Sequence, residues 1–226
     1  MAALNLNKKK AALATVMLLA GAGAWAAGGH HSVDDAAIKD AGECELESWF
    51  SRETGNGRLL HAGASCRVGL VELGFAGEYG RAGGASQTGW GAEVKWAREV
   101  AEGFSIGAAV ASGWQARVRP RYQGVSVIGL ATWTPREDFA LHLNFGRDFV
   151  HGGGDEKRGG IAVEWMPVKQ WSFVAERYRE QATHYVRAGA RHAINETWTV
   201  DVSRAQRLTG PAPSTWTVGL TYAFGL

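Results

Sequence analysis

The sequence predicts an all-β fold, an antiparallel up-and-down transmembrane β-barrel of about twelve strands, with ten as the alternative count. Three observations predict it. Short segments along the body of the chain alternate apolar and polar residues, the pattern of strands whose two faces meet different surroundings. The polar faces consist of Gly, Ala, Ser and Thr with scattered charges, while the apolar faces carry Trp and Phe near strand ends. A soluble sandwich puts its greasy faces inside and a highly charged face outside. A membrane barrel turns lipid-facing apolar side chains outward and keeps a wet interior, with aromatic girdles at both interfaces. Finally, the chain closes on TWTVGLTYAFGL, with Trp216, Val218, Leu220, Tyr222, Phe224 and Leu226 on one face and Thr, Gly and Ala on the other.

The elements follow in order. Lys8, Lys9 and Lys10 precede the short apolar run Ala11 to Ala22, and Ala24-Trp25-Ala26 follows. A positive start, a short apolar stretch and a small-residue exit read as a secretory signal peptide over residues 1–26. The run is too short to span a bilayer comfortably. Removing it takes away three lysines and no acid, so the formal charge of +2 for 226 residues becomes −1, with 21 Lys and Arg against 22 Asp and Glu. That balance argues against a nucleic-acid binder, which carries a basic surplus. Residues 27–42 read as a flexible polar N-terminal leader, and 43–226 as the barrel.

Within the barrel, GWGAEVKW sets Trp90, Ala92, Val94 and Trp96 against Gly91, Glu93 and Lys95. DFALHLNFGRDF sets Phe139, Leu141, Leu143, Phe145 and Phe149 against Ala140, His142, Asn144, Gly146 and Asp148. GGIAVEW and TWTVDVS repeat the pattern with Ile161, Val163, Trp165 and with Trp198, Val200, Val202 on the apolar side. Phe104, Phe139, Trp171 and Trp198 each follow a short charged or polar turn, so they mark one rim of the barrel at the lipid–water boundary. The opposite connections carry Gly, Pro and charge, as in Gly55-Asn56-Gly57, His151 to Lys157 and Thr209 to Ser214, and suit exposed loops. Strands start near residues 43, 58, 70, 88, 104, 122, 139, 159, 171, 184, 198 and 215. The strands after Tyr122 and Trp171 alternate less cleanly, because the pattern turns Ile128, Leu130 and Val174 inward.

The segment Thr217-Val-Gly219-Leu-Thr-Tyr222-Ala-Phe224 resembles the C-terminal assembly signal of bacterial outer-membrane β-barrel proteins. It departs from that pattern in the two residues that follow the last aromatic. The resemblance implies export to the periplasm, delivery to the barrel-assembly machinery and residence in the outer membrane of a Gram-negative bacterium, in contact with its lipid. It implies no particular solute and leaves the oligomeric state open.

Two cysteines, Cys44 and Cys66, are present, and an exported chain meets an oxidising compartment that favours pairing them. A hairpin turning around Thr54-Gly55-Asn56 places Cys44 opposite Cys66, Leu46 opposite Ala64 and Phe50 opposite Leu60. A cross-strand disulfide is expected.

The strand parity puts Glu45, Glu47, His61, Arg67, Glu72, Glu78, Glu93, Lys95, His142, Asn144, Asp148, Glu164, Glu176, Arg187, Arg191 and Asp201 on the lumen face. Charges of both signs on neighbouring strands read either as a polar passage that selects solutes or as a salt-bridge network that fills a narrow barrel. No catalytic set is visible. His142 is followed two residues on by Asn144, His61 and Ser65 lie four residues apart along one strand, and neither a G-x-S-x-G elbow nor a His-Glu-x-x-His motif occurs. The expectation is therefore no enzyme.

Gly28 to Ala36 concentrates His30, His31, Asp34 and Asp35. Two imidazoles and two carboxylates are a donor set for copper, zinc or nickel. The plainer reading, adopted here, is a polar leader with no cofactor. The leading function is a porin-like outer-membrane barrel passing small polar solutes. The alternatives are a non-conducting scaffold or binding protein linked to metal through the His30 segment, and an outer-membrane lipid hydrolase; a soluble periplasmic barrel is the structural rival.

Overall fold

The computed structural model describes residues 30–180 and 182–225. The expected signal peptide at 1–26 lies outside them. Twelve strands run β1(Glu43–Glu53), β2(Arg58–Val68), β3(Val71–Ala82), β4(Ala85–Ala101), β5(Phe104–Gln115), β6(Tyr122–Arg136), β7(Phe139–Val150), β8(Glu156–Val168), β9(Trp171–Glu180), β10(Thr183–Ala193), β11(Trp198–Thr209) and β12(Thr215–Gly225). Each pairs antiparallel with its sequence neighbour, and β1 pairs with β12 to close the barrel. Closure is forced by the surroundings the sequence implies, since an open sheet edge would leave backbone donors and acceptors facing hydrocarbon. The count of twelve and nearly every start agree with the alternation.

Strand parity behaves as the pattern requires. Phe75, Leu143, Phe145, Ile161, Trp216 and Val218 are all exposed on the outside. Glu164, Glu176, His142 and Asn144 are buried inside. Every strand has at least ten residues, enough to cross a hydrocarbon core at the usual tilt. Phe104, Phe139, Trp171 and Trp198 each open a strand after a tight turn, and all these turns lie on the rim where the chain ends meet. That rim is referred to below as the terminal rim. Trp198 packs on Tyr222, with ring centroids 4.6 Å apart, and Tyr222 stacks on Phe224 at 5.7 Å, so the C-terminal aromatics join the same girdle. At the Arg136–Asp138 turn the guanidinium donates to both carboxylate oxygens at 2.9 and 2.8 Å. This contact holds the exposed Asp138 carboxyl below its ordinary range.

Two prolines sit inside strands without breaking the barrel. Pro135 falls where the β6–β7 register shifts between Trp133 and Arg136, and Pro167 where the β8–β9 register shifts between Trp165 and Val168. A residue with no N–H is tolerated at a bulge, where the ladder is already interrupted. The Cys44–Cys66 disulfide forms in the expected register, with Leu46 opposite Ala64 and Phe50 opposite Leu60. The bond closes a sequence separation of 22 residues at the terminal rim.

Non-reducing mass spectrometry is expected to recover the Cys44 and Cys66 peptides linked. Replacing both with Ser is expected to lower stability by about 3 kcal/mol, the loop-closure value for a crosslink of this span, read as a lower urea midpoint of the refolded barrel. Two free thiols in the oxidised protein would contradict the pairing.

Candidate functional site: a lumen crossed by the N-terminal segment

The inside of the barrel is shaped by residues 30–42. The flexible leader expected at 27–42 is, from His30 onward, a segment packed within the lumen; Val33, Ala36 and Asp35 are almost wholly buried. It has no regular secondary structure. Backbone without a ladder must find hydrogen-bond partners elsewhere once water is removed, and here side chains of the barrel wall supply them.

Arg187 of β10 donates to the His30 carbonyl. Glu176 of β9 accepts from the Ser32 and Val33 amides at 3.2 and 2.8 Å. The Asn144 amide of β7, in the orientation its surroundings require, donates to the Asp34 carbonyl at 2.8 Å and accepts from the Asp34 N–H at 2.7 Å. Thr132 Oγ1 of β6 accepts from the Ala36 amide at 2.8 Å. Glu72 of β3 accepts from the Lys39 amide at 3.2 Å, and Arg67 of β2 donates to the Lys39 carbonyl at 3.0 Å. The segment thus spans the lumen from the β9–β11 wall to the β1–β3 wall.

Its side chains are held as firmly. Val33 packs among Ala162, Val174, Tyr178, Tyr185 and Ala205. Burying that side chain is worth about 1.5–3 kcal/mol. Ala36 packs on Ala109 and Leu130, with Ile128 beside them. Here lies the reason that Ile128, Leu130 and Val174 break the alternation: each faces inward onto the segment. The wall is also relieved to admit it. A Cβ on Gly160 would come 2.8 Å from Val33 Cγ2, and one on Gly189 would come 3.2 Å from His31 Cε1. The Lys95 ammonium of β4 bridges Asp34 at 2.7 Å and Asp35 at 3.0 Å, and Lys39 pairs with Glu72 at 2.7 Å.

The expected lumen residues occupy inward-facing strand positions, some bordering open space and some packed against the segment. Beneath it, His142 meets Thr132 Oγ1 at 3.0 Å and Glu164 at 3.5 Å, and Glu176 pairs with Arg187 at 3.1 Å. Asp201, opposite Arg191 in the ladder, contacts His30. These contacts form a filled network. Beside it lies a cavity of about 1450 Å³ whose lining includes Glu45, Glu47, His61, Glu72, Glu78, Glu93 and Lys95 from β1–β4. Asp148, Arg158, Arg187 and Arg191 line the facing side. The cavity runs from Glu43 and Thr197 at the terminal rim to Glu53, Gln115 and Glu156 at the opposite rim. Parity reading passed over three inward aromatics. Trp49 stacks on His61 with ring centroids 3.4 Å apart, and Tyr178 stacks on Tyr185 at 5.0 Å. Their odd or even positions carried the signal, and their aromatic character obscured it.

The donors considered for copper or zinc are turned to different partners. His30 faces Asp201 and Ser203, His31 lies 3.8 Å from Glu176, and Asp34 and Asp35 hold Lys95. Among the described residues no group of three or more His, Cys, Asp or Glu is arranged to hold a metal ion. A different trio emerges instead: Asp201 at His30 Nδ1 and Ser203 Oγ at His30 Nε2, the order of a hydrolytic relay. His30 and Ser203 are 173 residues apart in sequence, so no local motif announces them. Ser203 is 2% exposed and does not line the cavity. As placed, the trio fastens the segment to the wall and presents no open nucleophile.

The family model described as "Uncharacterised conserved protein UCP029691" matches residues 15–224. No curated protein matches the sequence. Among solved structures, the fold is similar to the KdgM porin, with TM-score 0.61 and 11% identity over 80% of this chain and 99% of that one. It is similar to the NanC porin, with TM-score 0.64 and 8% identity over 78% and 98%. The Pseudomonas putida toluene transporter TodX aligns with TM-score 0.53 and 9% identity over 82% and 90%. At these identities the likeness is one of fold, an outer-membrane barrel.

Lys95→Met removes the cation between two buried carboxylates, a change expected to cost about 3–5 kcal/mol and borne first by the segment. Limited trypsin digestion is expected to cut after Lys39 slowly in the parent and rapidly in K95M, while the barrel keeps its folded mobility on unheated gels. Equal cleavage rates would contradict this anchoring.

Proposed function

We propose that this chain, which belongs to the UCP029691 family, is an outer-membrane channel for small polar solutes whose bore is set by its own N-terminal segment. The observation that carries the reading is the large charge-lined cavity beside the packed segment, whose lining residues reach both rims. The apolar outer belt, the closed twelve-strand barrel and the likeness to porin folds support a place in the outer membrane. The C-terminal residues Thr217, Gly219, Tyr222 and Phe224, resembling the assembly signal, support delivery there by the barrel-assembly machinery.

Selectivity follows from the charges that line the passage. Thirteen Asp and Glu side chains stand against six Lys and Arg around the cavity, so the lumen favours cations over anions. The acids concentrate on the β1–β4 wall as Glu45, Glu47, Glu72, Glu78 and Glu93. The facing wall offers Arg158 and Arg191. A solute bearing both charges, or many hydroxyls, would find partners on each side. No bond is made or broken in this mechanism. The scaffold reading rests on the same segment: with the lumen already half filled, a barrel of this kind can serve without flux.

Planar-bilayer recording of the refolded protein is expected to show small cation-selective currents. Deleting residues 30–41 should raise the conductance several-fold, and Glu45→Gln with Glu47→Gln and Glu93→Gln should lower cation preference without closing the channel. Silence from both the full chain and the deletion variant would favour the scaffold.

A further inference from the structure

We infer that the outer surface at the rim away from the chain ends carries a binding site for the phosphate of an anionic lipid head group, formed by Arg52, Arg58 and Arg81. The three come from adjacent strands and lie side by side in the ladder. Arg52 of β1 is opposite Arg58 of β2, and Arg58 is opposite Arg81 of β3. They share the outward parity of Phe50, Leu60 and Tyr79, which form the row two residues nearer the barrel's middle. Those three are exposed apolar side chains. Two residues along a strand advance about 7 Å, so the guanidinium row stands directly above the last apolar row. In a bilayer that is the level of head-group phosphates.

Like charges directly opposed across strands repel each other. All three arginines are exposed, and among the described residues none of them makes an ion pair or hydrogen bond. The nearest acid in sequence, Glu53, has the opposite parity, and its carboxylate lies against Gly57 of the turn. An anion seated between the guanidiniums converts the repulsion into bridging, and the planar fork of Arg matches phosphate oxygens two at a time.

The surface has a receptacle to match. A concavity of about 420 Å³ is lined by Arg58 and Arg81 together with Gly55, Asn56, Gly83 and Gly84 of the two flanking turns. The glycines leave the approach free of side chains. On the other flank, Arg52 is opposite Trp216, and Arg204 lies over the Trp216 ring at 5.3 Å from its centroid. The row therefore continues through an aromatic of the kind that anchors at the interface, and then a fourth cation. The inference rests on the membrane reading above and is independent of whether the lumen conducts.

The test uses the refolded full barrel in phospholipid nanodiscs of phosphatidylcholine with and without phosphatidic acid, a phosphate-monoester lipid. Lipid retained after detergent extraction is quantified by native mass spectrometry. The parent is expected to retain phosphatidic acid over phosphatidylcholine. The Arg58→Gln/Arg81→Gln variant is expected to lose that preference by about tenfold, as charge-assisted contacts are removed. Arg147→Gln/Lys157→Gln, an outward basic pair on β7 and β8, should retain it. Gel mobility before and after heating confirms that each variant is folded, and the single variants R58Q and R81Q stand in should the double one misfold. Unchanged retention in the double or both single variants would overturn the site. Full displacement by inorganic phosphate at equal concentration would overturn the lipid as its source. Failure to enter either nanodisc would overturn the membrane reading beneath it, whereas entry without lipid preference overturns the site alone.

Discussion

The constraint on which the interior depends is the hydrogen-bonding demand of an irregular chain placed inside a barrel. Residues 30–42 have no ladder of their own, yet several of their amides and carbonyls meet wall side chains: Glu176 under Ser32 and Val33, Asn144 beside Asp34, Thr132 at Ala36, Arg67 and Glu72 at Lys39. Those side chains come from five different strands. An unmet backbone group in such a place costs on the order of 1–3 kcal/mol, so the polar residues of the lumen answer to the segment as much as to any solute. The apolar exceptions answer to it too. Val174 and Leu130 face inward because Val33 and Ala36 are there to cover them.

This arrangement separates two roles that a single list of inward charges runs together. His142, Glu164, Glu176 and Asp201 are buried among partners and hold structure. Glu45, Glu47, Glu78 and Glu93 look onto open space. Packed ion pairs and open, charge-lined space occur side by side in the same barrel.

The barrel itself was legible in the sequence because a strand's two faces alternate with a fixed period, and lipid and water sort residues strongly. Turn residues and rim aromatics mark the boundaries to within a few positions, and the hairpin register alone sets Cys44 opposite Cys66. The segment was not legible. Residues 30–42 carry no periodicity, and their partners lie as far as 173 positions away, so His30, Asp34 and Asp35 read as a polar leader. The trace it left was indirect, in Ile128, Leu130 and Val174, whose inward placement made no sense for a wall facing only water. Trp49, Tyr178 and Tyr185 drew no attention for a different reason: large rings are expected on the lipid side of a barrel, but their parity and their stacking partners are inside.

Between Val33 and the first residue of β1 the chain has only nine residues. A peptide on so short a leash, if dislodged, stays in the neighbourhood of its seat at an effective concentration in the millimolar range. Its return is a first-order event that dilution cannot slow. Occupancy of the lumen by this segment is therefore set within each molecule and has no dependence on protein concentration.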